Sequence, residues 1–356
     1  MKKSLISLAP VLFFLTADGI LFAAPPISLE KTSDAPPSLP HSKPRFKYLD
    51  SRYYAESYSF VGDLDDGGFF QAQFAVTNIG FASHKGSMRA VYVDKEGVHR
   101  QEVVKFEREE QIEIEDGFRF GQSSLTFKEN EYRVRIEGES FKGEVSYAPQ
   151  TSSFRPGNGR VYYDGKKGFY DITVLFLKAR FQGEIQVEGK KINLSGFAAG
   201  LDTYGTHPPN KQAKRWFRYF KVSGEPASLF TVWHPEEGGV IGWFVVSENG
   251  KLAEYSVKPH FYISGEAKAP KSEFGYAVPE RFKLKLEDNE EIEVFGNYSG
   301  TVFRQDVFSD LGGVLSFIAK RFIQPESYTL RYNGEIKYKG KLYSAPALVE
   351  ITFLSK

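Results

Sequence analysis

The groups best able to hold or move a proton cluster between Gly196 and Val222. Asp202, Tyr204, His207, Lys211 and Arg215 fall there, and Trp216 follows at the start of an aromatic run. A carboxyl and an imidazole brought to one apolar surface can do acid–base work, with Asp202 the leading candidate acid and His207 the second. Tyr204, His207, Lys211 and Arg215 are equally suited to meeting the polar head of a ligand. The plainer alternative is that Asp202 and Tyr204 cap a turn while the basic residues face water. A second group is Trp233-His234, with Trp243 on the next strand. Across a hairpin such residues either line a cavity or form an ordinary cross-strand core pair.

Other chemistries are excluded or lack their signatures. The chain has no cysteine, so disulfides, thiolate zinc sites and cysteine nucleophiles are ruled out. The six histidines, at 41, 84, 99, 207, 234 and 260, show no chelating spacing on one element, and there is no H-E-x-x-H or G-x-S-x-G motif. Gly159 to Lys166 is similar to a phosphate loop only superficially. Its glycines stand too far apart, and Lys167 replaces the required Ser/Thr. We therefore expect neither metal nor cofactor. The net charge of +1 offers no field for nucleic acid.

The elements that must position these groups read as β-strands. Aromatics make up 15% of 356 residues, a load that favours strands and large apolar interiors. Strand signals cover Ser57 to Leu64, Phe69 to Ile79, Met88 to Val93 and Tyr170 to Arg180. The last of these is so apolar at its centre that both faces should be buried. The signals resume after the central stretch, for example in Leu229 to Trp233, Val240 to Val246 and Val349 to Phe353. Asp65-Asp66-Gly67-Gly68, Glu188-Gly189, Asn249-Gly250 and Asn333-Gly334 read as turns. Val91 to Gly97 is weakly repeated 153 positions later in Phe244 to Gly250, a spacing that suits one β-barrel. Val307 to Ile323 departs from this grammar. Its apolar residues have helical spacing, which suits a helix flanking the second barrel or, more sharply, a lid or a peripheral membrane contact.

The ends of the chain read differently. Lys2-Lys3 and the apolar Leu5 to Leu15 make residues 1–24 an expected signal segment, directing the chain out of the cytoplasm to a Gram-negative periplasm or, alternatively, into the medium. Residues 25–45 are rich in Pro and Ser and are expected to form an extended tether. We take 46–200 and 215–356 as two β-barrel domains and 201–214 as their junction.

Several of these segments resemble a known group. Tyr58 to Gly80, with its Asp/Gly turn and Phe69-Phe70-Gln71-Ala72-Gln73-Phe74, is similar to the opening of the survival-factor-like proteins. Gly196-x-Ala198-x-Gly200 through His207-Pro208 and Ala213-Lys214-Arg215-Trp216 is similar to their glycine-rich junction. These proteins belong with the carotenoid 1,2-hydratases (hydroxyneurosporene synthases) in a tandem lipocalin-like, or calycin, group. The resemblance implies an all-β fold of two lipocalin-like antiparallel barrels and an apolar ligand, a lipid or isoprenoid. The hydratase branch carries an Asp-His-Asn-Trp-type motif near this junction, where this chain has Asp202-Thr203-Tyr204-Gly205. The leading expectation is an exported carrier of an apolar molecule, with Tyr204, His207, Lys211, Arg215, Trp216, Trp233, His234 and Trp243 around the ligand. The alternatives are a cofactor-free hydratase or cyclase acting through Asp202 and His207, and a ligand-free scaffold.

Overall fold

Along the strand Lys190–Gly205, Leu194 and Ala198 enter one apolar core while Ala199 and Leu201 enter another. Side chains of a strand alternate between its faces, so from Leu194 onward this strand packs on both. The reason is the stacking of two curled sheets. The computed structural model describes residues 29, 38–78, 83–157, 159–163, 168–207, 213–234, 240–257, 259–305 and 325–354. The expected signal segment and the expected helix over Val307 to Ile323 lie outside the described residues, as does Lys211.

In chain order the first strands are β1 (Ser38–Leu39), β2 (Ala55–Leu64), β3 (Phe69–Thr77), β4 (Lys85–Val93), β5 (His99–Phe106), β6 (Gln111–Ile114), β7 (Gly117–Phe120) and β8 (Ser123–Lys128). Next come β9 (Glu131–Glu137), β10 (Phe141–Pro149), β11 (Ser153–Phe154), β12 (Arg160–Tyr163), β13 (Gly168–Val187) and β14 (Lys190–Gly205). All fourteen join one sheet, whose main path is β5-β4-β3-β2-β14-β13-β10-β9-β8-β7-β6. Gly86 on β4 abuts Gln111 and Phe120 from the far end of this path, so the sheet curls into a near-barrel, barrel 1.

The second sheet contains β15 (Arg215–Lys221), β16 (Ala227–His234), β17 (Ile241–Glu248), β18 (Lys251–Ser256), β19 (Pro259–Lys268), β20 (Ala277–Leu286), β21 (Glu293–Gln305), β22 (Glu326–Tyr338) and β23 (Lys341–Phe353). Its order is β18-β17-β16-β15-β23-β22-β21-β20-β19, and β17 approaches β19 to give barrel 2. The strand pairings of both sheets, among the described residues, are antiparallel, as a meander of short hairpins requires. The fold is two tandem lipocalin-like barrels.

The local signals explain most of this. Asn249-Gly250 has φ of 51° and 77°, the paired left-handed residues of a tight hairpin, and joins β17 to β18. Asn333-Gly334, expected as a turn, lies instead within β22, where Asn333 faces Asn297 and Pro346. Gly334 serves packing there: a Cβ would stand 2.6 Å from the Tyr219 hydroxyl and 2.8 Å from Ala347 Cβ.

Three aromatic cores result. Phe60 and Tyr147 meet at 4.8 Å inside barrel 1, and Tyr219 and Phe230 stack at 4.9 Å inside barrel 2. Between the barrels, Trp243 packs edge-on against Phe154 at 5.8 Å, with Trp233, Val174 and Leu201 in the same cluster. Polar links cross this middle layer. Arg331 pairs with Asp63 at 2.8 Å and reaches the Gly67 and Gly68 carbonyls, and Lys178 pairs with Glu225 at 2.7 Å. Arg218 and the Gln71 amide both donate to Glu350, each at 3.3 Å. Burial pushes the Glu350 carboxyl up, and Arg218 pulls it back.

Removing one partner of such a buried pair leaves an unanswered charge. Arg218→Met should cost about 3 kcal/mol of stability at neutral pH, read from urea denaturation. The loss should shrink as pH falls through the raised folded-state pKa of Glu350, where the carboxyl takes up its proton and needs no partner. Adding Glu350→Leu should restore most of the loss. If R218M unfolds at the wild-type urea midpoint, the pair does not contribute to stability.

Candidate functional site

β2, β13 and β14 lie side by side, and the alternation that fills barrel 1 also aims acids at its mouth. Glu56 and Tyr58 on β2, Asp171 on β13, and Asp202 and Tyr204 on β14 share this end, with Asp202 opposite Tyr58 and Asp171 opposite Tyr204. The chain before β2 lies across the same end. The Phe46 ring packs 4.6 Å from Phe118 and 5.3 Å from both Tyr58 and Phe120. The Arg45 N–H donates to the Tyr58 oxygen at 3.0 Å, and the Tyr58 hydroxyl donates to the Arg45 carbonyl at 2.9 Å.

This docking delivers Lys47. Its ammonium stands 2.8 Å from Glu56 Oε1, 3.5 Å from Asp202 Oδ2, and 4.0 Å above the Tyr204 ring. Glu56 takes the closer contact and also accepts from the Tyr54 hydroxyl at 2.5 Å and the Lys47 N–H at 2.9 Å. Asp202 is left with the weaker share. Its Oδ1 is buried and accepts no hydrogen bond from a described residue. Burial raises the Asp202 carboxyl to about 7, with Lys47 pulling it down and Glu56 pushing it up.

Asp171 makes the contrast. It is more deeply buried, yet Arg155 holds both its oxygens at 2.6 and 2.7 Å, Arg160 donates at 3.1 and 3.2 Å, and the Tyr204 hydroxyl donates at 3.0 Å. Every lone pair there is answered, so Asp171 anchors Tyr204, while Asp202 is the acid with room for a proton.

The outer face of the same strands forms a cleft between the barrels. It has a volume of about 180 Å³ and is lined by Tyr53, Ala55, Tyr170, Gly205, His207, Trp216, Arg218 and Trp233. His207 stacks on Tyr163 at 4.8 Å, and the Arg218 guanidinium lies 4.7 Å over Trp216. Pockets for drug-sized ligands run to about 300–1,000 Å³, so this cleft takes one ring or a head group.

The residues singled out from the sequence thus separate into four places. Asp202 and Tyr204 lie on a strand facing into barrel 1, not at a turn. His207, Trp216 and Trp233 line the cleft. Arg215 and His234 face the mouth of barrel 2, and Trp243 packs in the middle core. Lys47, Glu56 and Asp171 were missed. Glu56 did carry a signal, since it stands on the apolar face of an alternating strand with Tyr58 and Phe60. Among the described residues no group of three or more His, Asp or Glu could hold a metal.

No protein-family model and no curated protein matches the chain. Solved structures do. A candidate AttH from Nitrosomonas europaea superimposes with a TM-score of 0.63 at 14% identity, over 89% of this chain and 98% of that one. Kievitone hydratase from Nectria haematococca gives 0.58 at 12% identity, over 92% and 98%. The fold is that of the tandem lipocalin-like hydratases and their relatives. CghA in complex with Sch210972 gives 0.61 at 10% identity, over 92% and 99%. At these identities the likeness is one of fold, the fold that the sequence resemblance implied.

Asp202 should titrate near pH 7 in the folded protein, and Lys47→Met should move it higher, as followed by the carboxyl carbon signal in NMR. A folded-state value above the unfolded one means that stability is fullest below about pH 4 and declines as pH rises through about 7. Asp202→Asn should flatten that decline. A carboxyl that titrates near 4 in both the wild type and K47M would overturn this account of the site.

Proposed function

We propose that this protein is a cofactor-free enzyme that protonates an apolar, unsaturated small molecule, and that Asp202 is the acid. The observation that carries the reading is the buried Asp202 carboxyl, set beside an aromatic interior with one oxygen unengaged. A carboxyl raised to about 7 is still substantially protonated at neutral pH and can give its proton up, which is the requirement for general acid catalysis.

The chemistry follows from the surroundings. Proton transfer from Asp202 to an alkene carbon breaks the O–H bond and leaves a carbocation. The faces of Tyr58, Phe46 and Phe118 offer negative potential to that cation. The new carboxylate is met by the Lys47 ammonium. Water adding to the cation gives an alcohol and returns a proton to Asp202. Attack by a second double bond, with loss of a proton to Asp202, closes a ring instead. Both routes leave the enzyme unchanged and need no cofactor. Kievitone hydratase, a hydratase by name on the same fold, supports this class of reaction. Asp202-Thr203-Tyr204-Gly205 replaces the motif of the carotenoid hydratases, so the substrate need not be theirs.

The cleft favours a second reading, an apolar carrier without turnover, since Trp216, Trp233 and Tyr170 offer ring-sized walls. Its small volume weighs against enclosing a whole lipid, and the rings inside both barrels already touch one another. In either reading we place the protein outside the cytoplasm, on the pattern of residues 1–24.

Turnover of a panel of unsaturated isoprenoids and phenylpropanoids by the purified protein decides between the readings. Asp202→Asn should lose roughly 10²- to 10⁴-fold in rate while retaining substrate binding. Binding without conversion by the wild type would sink the enzyme and leave the carrier.

A further inference from the structure

The mouth of barrel 2 holds a charge that no described residue pairs with. Arg215 opens β15 and lies opposite His234 on β16 and Phe353 on β23. Phe217 and Tyr219, at alternate positions from Arg215, belong to the interior of barrel 2, so Arg215 faces the same side. Phe230 and Val232 fix the same direction for His234, whose ring meets Phe261 edge-on at 5.5 Å. Arg215 and His234 are both half-buried. Even so, the Arg215 side chain makes no ion pair or hydrogen bond to a described residue, and His234 Nε2 is buried without a partner.

Isolated charges are rarely left this way, because desolvation without a counter-charge is costly. Burial holds the Arg215 guanidinium below its ordinary value, opposed only by the Glu266 carboxylate acting from a distance. Burial and then the Arg215 charge push His234 down to about 4, so its imidazole is neutral at pH 7. A fixed cation, a neutral imidazole with a free nitrogen, and aromatic walls therefore meet at one opening.

We propose that the mouth of barrel 2 binds the carboxylate of an amphipathic small molecule. Arg215 grips the head, His234 hydrogen-bonds to it, and Phe261 packs against the apolar body. The planar guanidinium fork matches two coplanar carboxylate oxygens, and one negative charge balances one positive charge. Exposed Glu266 at the rim disfavours more highly charged anions such as phosphate monoesters. This site is separate from Asp202 and does not depend on the reaction there. Glu236 and Glu237 follow His234 closely in sequence and lie outside the described residues.

The test is isothermal titration of the purified protein with trans-cinnamate and with its uncharged counterpart, cinnamyl alcohol. The acid should bind at least tenfold more tightly than the alcohol. Arg215→Met should abolish that preference, Arg215→Lys should retain part of it, and Asp202→Asn should leave it intact. The His234 ring nitrogen signals of the wild type should shift on adding cinnamate, a readout that stands if R215M does not fold. Equal affinity for acid and alcohol, or unshifted His234 signals, would overturn the proposal. So would cinnamate binding that appears only in Glu236→Gln/Glu237→Gln, since Arg215 would then be answered by its own chain.

Discussion

Over their inner stretches the strands at the centre of this molecule pack on both faces. β2, β13 and β14 bury one side in barrel 1 and the other in the layer between the barrels. β15, β16 and β23 do the same from the side of barrel 2. Any polar group placed on them must find a partner, shift its protonation, or wait for a ligand. Glu350 with Arg218 and Gln71, and Asp63 with Arg331, show the first outcome. The Gln71–Glu350 and Asp63–Arg331 contacts also hold the two barrels together, because each draws one member from each barrel.

Asp171 and Asp202 show how the same constraint separates structure from chemistry. They sit on neighbouring strands at one mouth, Asp171 fully buried and Asp202 nearly so. Asp171 is saturated by two arginines and a tyrosine. Asp202 shares a single lysine with Glu56, and that lysine arrives on the N-terminal stretch that also inserts Phe46. The proton-holding group is therefore created by an unequal division of one positive charge, and a few ångströms decide it. Arg215 is the counterpart in barrel 2, a cation with the opposite deficit. The fold alone assigns neither role, and structures sharing it differ from this chain at most positions.

Much of the architecture was legible in the residues. Period-two alternation and Asn-Gly or Glu-Gly pairs located the strands and hairpins, and the apolar centre of β13 announced a strand buried on both faces. The weak repeat of Val91 to Gly97 in Phe244 to Gly250 falls on β4 and β17, which hold matching places in the two sheets. Asn333-Gly334 misled because a glycine needed for close packing under Tyr219 has the same letters as a hairpin turn. The glycines of 196 and 200 misled for a similar reason. They continue β14, where a Cβ on either would lie within 2.9 Å of a Phe181 or Phe176 ring atom.

The grouping of Asp202, His207, Arg215 and Trp216 along the chain is a different matter. Strand alternation sends successive residues to opposite faces, so neighbours in sequence entered barrel 1, the cleft and barrel 2 separately. The true companions of Asp202 are Lys47 and Glu56, some 150 positions away, joined only by the pairing of β2 with β14. By itself the sequence determined the strand pattern, the turns and the absence of thiol chemistry, because these depend on local backbone and composition. The tertiary structure alone decided which carboxyl holds its proton more tightly and which cation finds no partner among the described residues, because both depend on burial and on charges brought together from distant parts of the chain.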